Sequence, residues 1–130
     1  ENNNYYRTGA YEIVTNPKFI SKVINSNNVF FLFDLAHAII SSYNMKIDYN
    51  HYIQQLPLNK TIQVHICRPG MGKNEMLDKH YLPNKTIFEN LKLVKKNSKH
   101  LKFVTIEYYK DCKRLINCLK KLKTYINENL

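Results

Sequence analysis

The hydrophobic positions along this chain alternate between a helical spacing and short continuous runs. Apolar residues at positions 19, 20, 23 and 24 form one stripe after Asn16-Pro17. Asn is a favourable N-cap and Pro a favourable first helical residue, so a helix is predicted to begin there. Residues 29–33 (VFFLF) are wholly apolar and are followed by Asp34. Such a run predicts a strand buried on both faces of a parallel sheet.

The alternation of helix and strand patterns continues to the end of the chain. Asp48 is predicted to cap a short helix that ends before Pro57, and residues 61–66 (TIQVHI) predict the next strand. Residues 68–85 are polar and predict a loop, and residues 86–97 predict an amphipathic helix. Residues 102–106 (KFVTI) predict a further strand, and residues 111–127 a long closing helix.

This order of elements predicts an α/β fold in which parallel strands are joined by helical crossovers. Two architectures fit: a small doubly wound sheet, or parallel βα units that form about half of a TIM (β/α)8 barrel. A complete barrel needs roughly 250 residues, and this chain has 130. On the barrel interpretation, residues 1–130 form a single domain and we expect the other half of the barrel to be missing.

Charge, hydropathy and cysteine content limit the partners and the compartment that we expect for this chain. The net charge is +10, and residues 92–130 carry 11 basic and 3 acidic groups, against 9 and 7 in residues 1–91. These lysines fit a solvated helix exterior or an acidic partner; without an Arg-rich or aromatic motif we expect no nucleic acid. No apolar run approaches the ~18 residues of a membrane span, so no membrane partner is expected. Three cysteines without a CxxC pair predict neither a disulfide framework nor a zinc ribbon, and indicate the cytoplasm.

Residue types that bind metal ions lie at or near the end of each predicted strand, at the first residue of the chain, and as the pair Asp78 and His80 in the predicted polar loop. In a barrel the carboxyl ends of the strands meet at one mouth, so these side chains would converge. Each residue alone is also explained as a helix cap or an ordinary histidine. Carboxylates and imidazoles together suit iron, manganese or catalytic zinc, and their number suits two or more ions. The candidate ligands are Glu1, Asp34, His37, His65, Asp78, His80 and Glu107.

Five stretches of the chain resemble the second half of the multinuclear non-haem iron-dependent oxidases: ENNNYY, FLFDLAHAIISSYN, LPLNKTIQVHICRPG, LDKH and KFVTIEY. The resemblance covers essentially the whole chain. It implies the C-terminal half of a xylose-isomerase-like TIM-barrel metalloenzyme, with the seven candidate ligands holding two or three iron ions. It further implies O2 as co-substrate and modification of cysteine, or residues near it, in a ribosomally made precursor peptide. Residues 68–70 depart from the family, in which a turn with Gly and His is common.

The resemblance also implies partners. We expect a precursor peptide, a partner protein that recognises its leader, and either the missing barrel half or a second copy of the chain. Alone, the chain is expected to be inactive. Two alternatives stay open: an endonuclease-IV-like or sugar-isomerase-like metalloenzyme on the same barrel, and a non-catalytic remnant that binds a peptide or partner.

Overall fold

The computed structural model describes residues 1–130 as five helices, five strands and one 3₁₀ turn. The strands are β1 (Phe31–Asp34), β2 (Thr61–Ile66), β3 (Arg68–Met71), β4 (Met76–Tyr81) and β5 (Phe103–Ile106). The helices are α1 (Pro17–Ser26), α2 (Leu35–Met45), α3 (Tyr49–Gln54), α4 (Lys85–Asn97) and α5 (Cys112–Asn129), and the 3₁₀ turn is Leu58–Lys60.

Three parallel strands form the main sheet in the order β1-β2-β5. Helices lie between these strands in the sequence, which confirms the predicted α/β class with parallel βα units. The arrangement is that of part of a βα barrel. Strands β1 and β5 are the edges of this sheet, and each pairs on one side only.

Each helix begins at a polar side chain that caps its first turn. Asn16 Oδ1 accepts from the backbone N–H groups of residues 18 and 19, and Asp48 Oδ1 accepts from that of residue 51, which confirms two predicted helix starts. Asn84, Asp34 and Asp111 cap the other three helices in the same way. Such caps are each worth roughly 1 kcal/mol. None of the helices combines the length and hydropathy needed to cross a bilayer.

The core lies on one face of the main sheet, between the strands and the helices. Phe31, Phe33, Val64 and Ile66 are completely buried there. Burial of each such side chain stabilises the fold by roughly 1.5–3 kcal/mol. Alternate strand residues point to the opposite face, where Gln63, like His65 and Thr105, keeps access to solvent.

The predicted burial of residues 29–33 on both faces of the sheet is therefore wrong. The strand begins at Phe31, and Val29 and Phe30 before it are 46% and 53% exposed. Helices of this chain cover only one face of the sheet, so the alternate residue Leu32 is only partly buried.

The predicted polar loop over residues 68–85 is also wrong, because residues 68–81 form an antiparallel hairpin of β3 and β4. Arg68 pairs with Tyr81 and Gly70 with Leu77, so β4 carries two extra residues in a bulge between these pairs. A Cβ at Gly70 would lie 2.7 Å from the Tyr81 ring, so the bulged strand packs against a position that only glycine fills. The hairpin lacks an alternating hydrophobic pattern, which is why the sequence did not predict it.

Candidate metal centre

All seven predicted ligands lie at the carboxyl end of the main sheet and beside the hairpin. Asp34 and His65 are register partners on adjacent strands. Glu107 directly follows β5, and its N–H donates to the Ile66 carbonyl at 3.1 Å. The parallel register therefore brings three of the residues to one edge of the sheet. The N-terminal segment adds Glu1, helix α2 adds His37, and β4 adds Asp78 and His80.

Glu1, Asp34 and His65 form the first cluster, which we call the strand-end group. Their ligand atoms lie within 4.8 Å of one another. His65 Nδ1 is 4.0 Å from both Glu1 Oε1 and Asp34 Oδ2, and 2.9 Å from Glu107 Oε1. The short contact with Glu107 does not have hydrogen-bond geometry, and His65 Nδ1 has no hydrogen-bond partner. Three carboxylates therefore surround one imidazole nitrogen.

Asp34 is both a helix cap and a candidate ligand. Its Oδ1 accepts from the His37 backbone N–H at 2.7 Å, whereas its Oδ2 is buried without a hydrogen-bond partner. Asn2 fixes the backbone on either side, because its amide donates to the Asp34 carbonyl at 2.9 Å and accepts from the Asp34 N–H at 2.8 Å. Complete burial raises the pKa of Asp34 to about 7, although the neighbouring His37 acts in the opposite direction.

His37 has the hydrogen bonding expected of a histidine ligand. Its Nδ1 lies 2.9 Å from the Asn2 carbonyl, and its Nε2 lies 3.3 Å from Asp78 Oδ2. An Nδ1–H that donates to a carbonyl leaves a lone pair on Nε2, which is the usual arrangement around a metal. Burial alone lowers the pKa of His37, but the bond to Asp78 and the charge of Asp34 outweigh it and raise this pKa to about 9. Without a cation, His37 therefore holds a proton at neutral pH.

Cys67, Asp78 and His80 form the second cluster, which we call the hairpin group. Their ligand atoms also lie within 4.8 Å of one another. Asp78 Oδ2 is 3.0 Å from His80 Nε2, and Cys67 Sγ is 3.7 Å from Asp78 Oδ1. His80 has a φ of 44°, so the bulge of β4 places it in the left-handed region that a β-strand residue rarely adopts. His80 Nδ1 is buried without a hydrogen-bond partner.

The charges of the hairpin group depend on its neighbours. Burial raises the pKa of Asp78, but the hydrogen bond from His37 and the charge of His80 outweigh it, and the net shift is downward. Burial raises the pKa of the Cys67 thiol, and the charges of Asp34 and Asp78 raise it further. In the absence of a cation, the group therefore contains an ionised carboxylate beside a neutral thiol.

Two polar side chains hold the hairpin against the rest of the chain. The Asn44 amide on α2 donates to the carbonyls of Tyr5 and Met76 and accepts from the Met76 N–H. The Asp78 N–H donates to the Tyr6 hydroxyl at 3.3 Å. The position of the hairpin group is thus set by contacts far apart in sequence.

Four residues of the site were not predicted from the sequence. Asn2 and Asn44 act through backbone hydrogen bonds, and Gln63 lies with its amide 3.0 Å from His65 Nε2. The Gln63 amide nitrogen faces His65 Nε2, and it donates to the Thr105 hydroxyl at 3.0 Å. For Cys67, the only indication in the sequence is its position two residues after His65, directly after β2.

The donor atoms fit a bound cation. Five buried side-chain N or O atoms lack a hydrogen-bond partner, and two of them, Asp34 Oδ2 and His65 Nδ1, lie 4.0 Å apart in the strand-end group. Buried polar atoms are normally satisfied, so such a concentration at one place indicates a missing partner. Carboxylate oxygens and imidazole nitrogens are ligands of iron, manganese and zinc.

Comparison with known proteins gives two findings. The family model described as RiPP precursor modification enzyme MbnB/TglH/ChrH matches residues 1–125. Two UPF0276 proteins of Caulobacter vibrioides, from strains NA1000 and ATCC 19089, are each 23% identical to the chain over 83 residues. That match covers 64% of this chain but 30% of each relative, so the chain spans less than a third of these relatives.

Proposed function

This chain belongs to the family of RiPP precursor modification enzymes MbnB/TglH/ChrH, and we propose that it supplies the metal centre of an iron-dependent oxidase. The proposed substrate is a ribosomally made precursor peptide, modified with O2 at cysteine or at residues near it. In this proposal the strand-end group and the hairpin group hold two or three iron ions between them.

One observation carries the proposal. Seven carboxylate and imidazole side chains from the N-terminal segment, the ends of three strands, helix α2 and β4 lie around two buried atoms without partners, Asp34 Oδ2 and His65 Nδ1. A helix-capping role satisfies one oxygen of Asp34 and leaves the other unexplained. Several carboxylates packed this closely repel one another unless cations lie between them. A cluster of cations accounts for both facts at once.

Bound iron would supply the redox chemistry with O2, and the protein's own residues would hold and shield it. Asp34, fixed by Asn2, would keep one oxygen directed at the centre. His37 and His65 would bind as neutral imidazoles, and a hydrogen bond from His37 Nδ1 to the Asn2 carbonyl would orient the first of them. The hairpin, which carries Asp78 and His80 on β4, would form one side of the centre.

We propose further that additional barrel strands complete the centre, from elsewhere in the same protein, from a separate chain or from a second copy. The edges of the main sheet, β1 and β5, each have one free side. The face that bears Gln63, His65 and Thr105 is not covered by helices of this chain. Unpaired strand edges are commonly paired or covered in complete folds.

A partner protein that presents the leader of the precursor peptide is part of this proposal. The excess positive charge lies on and between α4 and α5, where Lys120 and Lys121 are exposed. Such a surface attracts an acidic protein, and attraction between exposed charges weakens with salt. Reversal of both lysine charges is expected to weaken partner binding, and unchanged affinity would contradict this role.

The test is the metal content of the protein purified without oxygen, measured by elemental analysis and Mössbauer spectroscopy on the chain alone and on the chain together with the strands that complete the barrel. We expect two or more irons in the completed barrel, and their loss from His65→Ala and Asp78→Ala. The matched control is His51→Ala, which removes an exposed histidine on α3. Zinc or manganese in place of iron would favour a hydrolase or isomerase on the same barrel. Absence of any metal would refute the proposal and favour a binding protein.

A further inference from the structure

Cys67 is the only cysteine beside the proposed metal centre, and neither the family match nor the predicted ligand set gives it a role. Its side chain is 1% exposed, and the other two cysteines lie on α5. Its neighbours are the carboxylate of Asp78 and the imidazole of His80. A buried cysteine is usually a small hydrophobic residue among apolar groups, and this one instead faces two metal-binding side chains.

The distances from the two oxygens of Asp78 to Cys67 and His80 are close to those between adjacent ligands of one metal ion. Metal–sulfur bonds of about 2.3 Å and metal–oxygen or metal–nitrogen bonds of about 2.0–2.2 Å place neighbouring donors roughly 3–3.6 Å apart. Cys67 Sγ is 3.7 Å from Asp78 Oδ1, and His80 Nε2 is 3.0 Å from Asp78 Oδ2. No large movement of the chain is needed for all three residues to bind the same ion.

The hairpin is shaped to make this set of ligands. The bulge of β4 holds His80 at a φ of 44°, a left-handed conformation that persists only when the surroundings impose it. Cys67 lies between β2 and β3, so the thiol comes from the residue that leads into the hairpin, and the two other ligands come from β4. His37 Nε2 lies 3.3 Å from Asp78 Oδ2 and contacts the group only through that carboxylate.

We propose that Cys67 is a thiolate ligand of the ion in the hairpin group, which makes this position softer than the all-oxygen and nitrogen strand-end group. This inference rests on the proposed metal centre and adds a difference between its two halves. Thiolate, imidazole and carboxylate together favour Fe(II), Zn(II) or Co(II), whereas the strand-end group suits the harder Fe or Mn ions.

Cobalt(II) alone is the probe, because a Co(II)–thiolate bond gives an intense near-ultraviolet charge-transfer band beside the weak visible bands of any bound cobalt. The full chain is stripped of metal and titrated with Co(II) without oxygen. We expect the charge-transfer band in the wild type, its loss in Cys67→Ser, and its retention in Cys118→Ser. Cys118 is the matched control, because it is also a buried free cysteine but lies on α5.

X-ray absorption at the cobalt edge of the wild-type protein gives a second readout that needs no variant. A sulfur neighbour at about 2.3 Å is expected. Visible cobalt bands without a charge-transfer band and without a sulfur neighbour would overturn the role of Cys67 and leave the metal centre standing. Persistence of the charge-transfer band in Cys67→Ser would overturn it equally. Failure of the wild type to bind any cobalt would refute the metal centre, and the role of Cys67 with it.

Discussion

Replacement of Asn44 by alanine tests whether one amide on α2 positions the hairpin group. Its side chain is 4% exposed and makes three hydrogen bonds, at 2.8 Å to the Tyr5 carbonyl and at 3.0 and 2.9 Å to the carbonyl and N–H of Met76. Three bonds at roughly 0.5–1.5 kcal/mol each amount to about 3 kcal/mol. Alanine is the better helix former by about 0.6 kcal/mol. The expected net loss in the free energy of unfolding is therefore about 2 kcal/mol.

Urea denaturation of the metal-free chain, followed by circular dichroism, measures this loss. The matched control is Asn117→Ala, since Asn117 is an exposed residue in the middle of α5 whose side chain makes no hydrogen bond. The control should gain about 0.5 kcal/mol from helix propensity. Asn44→Ala should also weaken Co(II) binding at the hairpin group more than at the strand-end group. Equal behaviour of the two variants would refute the role of Asn44 in holding the hairpin, as would a stability loss with unchanged cobalt binding.

Three further predictions concern Asp34, Gly70 and pH. Asp34→Asn keeps the helix cap, because Asn caps as well as Asp, and it removes a buried charge. Thermal unfolding of the metal-free chain at pH 8 should therefore show unchanged or greater stability, while the iron content of the loaded protein falls. An iron content equal to that of the wild type would contradict the ligand role of Asp34. Gly70→Ala places a Cβ 2.7 Å from the Tyr81 ring, so the bulge of β4 that holds His80 should move. The NMR chemical shifts of the His80 imidazole should then change. An unaltered spectrum would show that the bulge tolerates a side chain at position 70. The pKa of Asp34 is raised to about 7 and that of His37 to about 9, so the fold favours the protonated form of both, and metal-free stability should fall as pH rises from about 4 to about 9. Bound metal favours the deprotonated forms of Asp34 and His37, so the affinity for Co(II) should rise over the same pH range. Calorimetry at pH 5, 7 and 9 measures both the stability and the affinity. A flat pH profile would contradict both trends.

Local signals predicted the elements whose causes are local. Asn16 and Asp48 cap helices through their own first turns, and strand β2 has a short β-rich run. Helix α2 was not predicted as a helix, because its buried residues lie on several sides rather than in one stripe. It is surrounded by the sheet, α3 and the hairpin, and only tertiary structure explains its polar buried residues Ser41 and Asn44.

The residues of the candidate site also divide into those that the sequence could predict and those that depend on tertiary structure. The strand ends at Asp34, His65 and Glu107 could be predicted, because parallel register places such residues at one edge. The bulge of β4 could not be predicted, since it arises from pairing with β3. The proximity of Cys67 to Asp78 follows from that pairing, and residue spacing alone gives no indication of it.

In the proposed metal centre, Asp34 would link metal loading to folding. Its carboxyl group caps α2 with one oxygen and is buried with the other unpartnered, so the charged form is unfavourable in the metal-free protein. A cation bound at Oδ2 would convert that unfavourable charge into a bond, while Asn2 and the His37 N–H would keep their hydrogen bonds to Asp34. The free energy of metal binding would therefore add to the stability of the sheet edge. For this reason the residues that hold the metal centre in place, Asn2 and Asn44, should matter more for the loaded protein than for the metal-free chain.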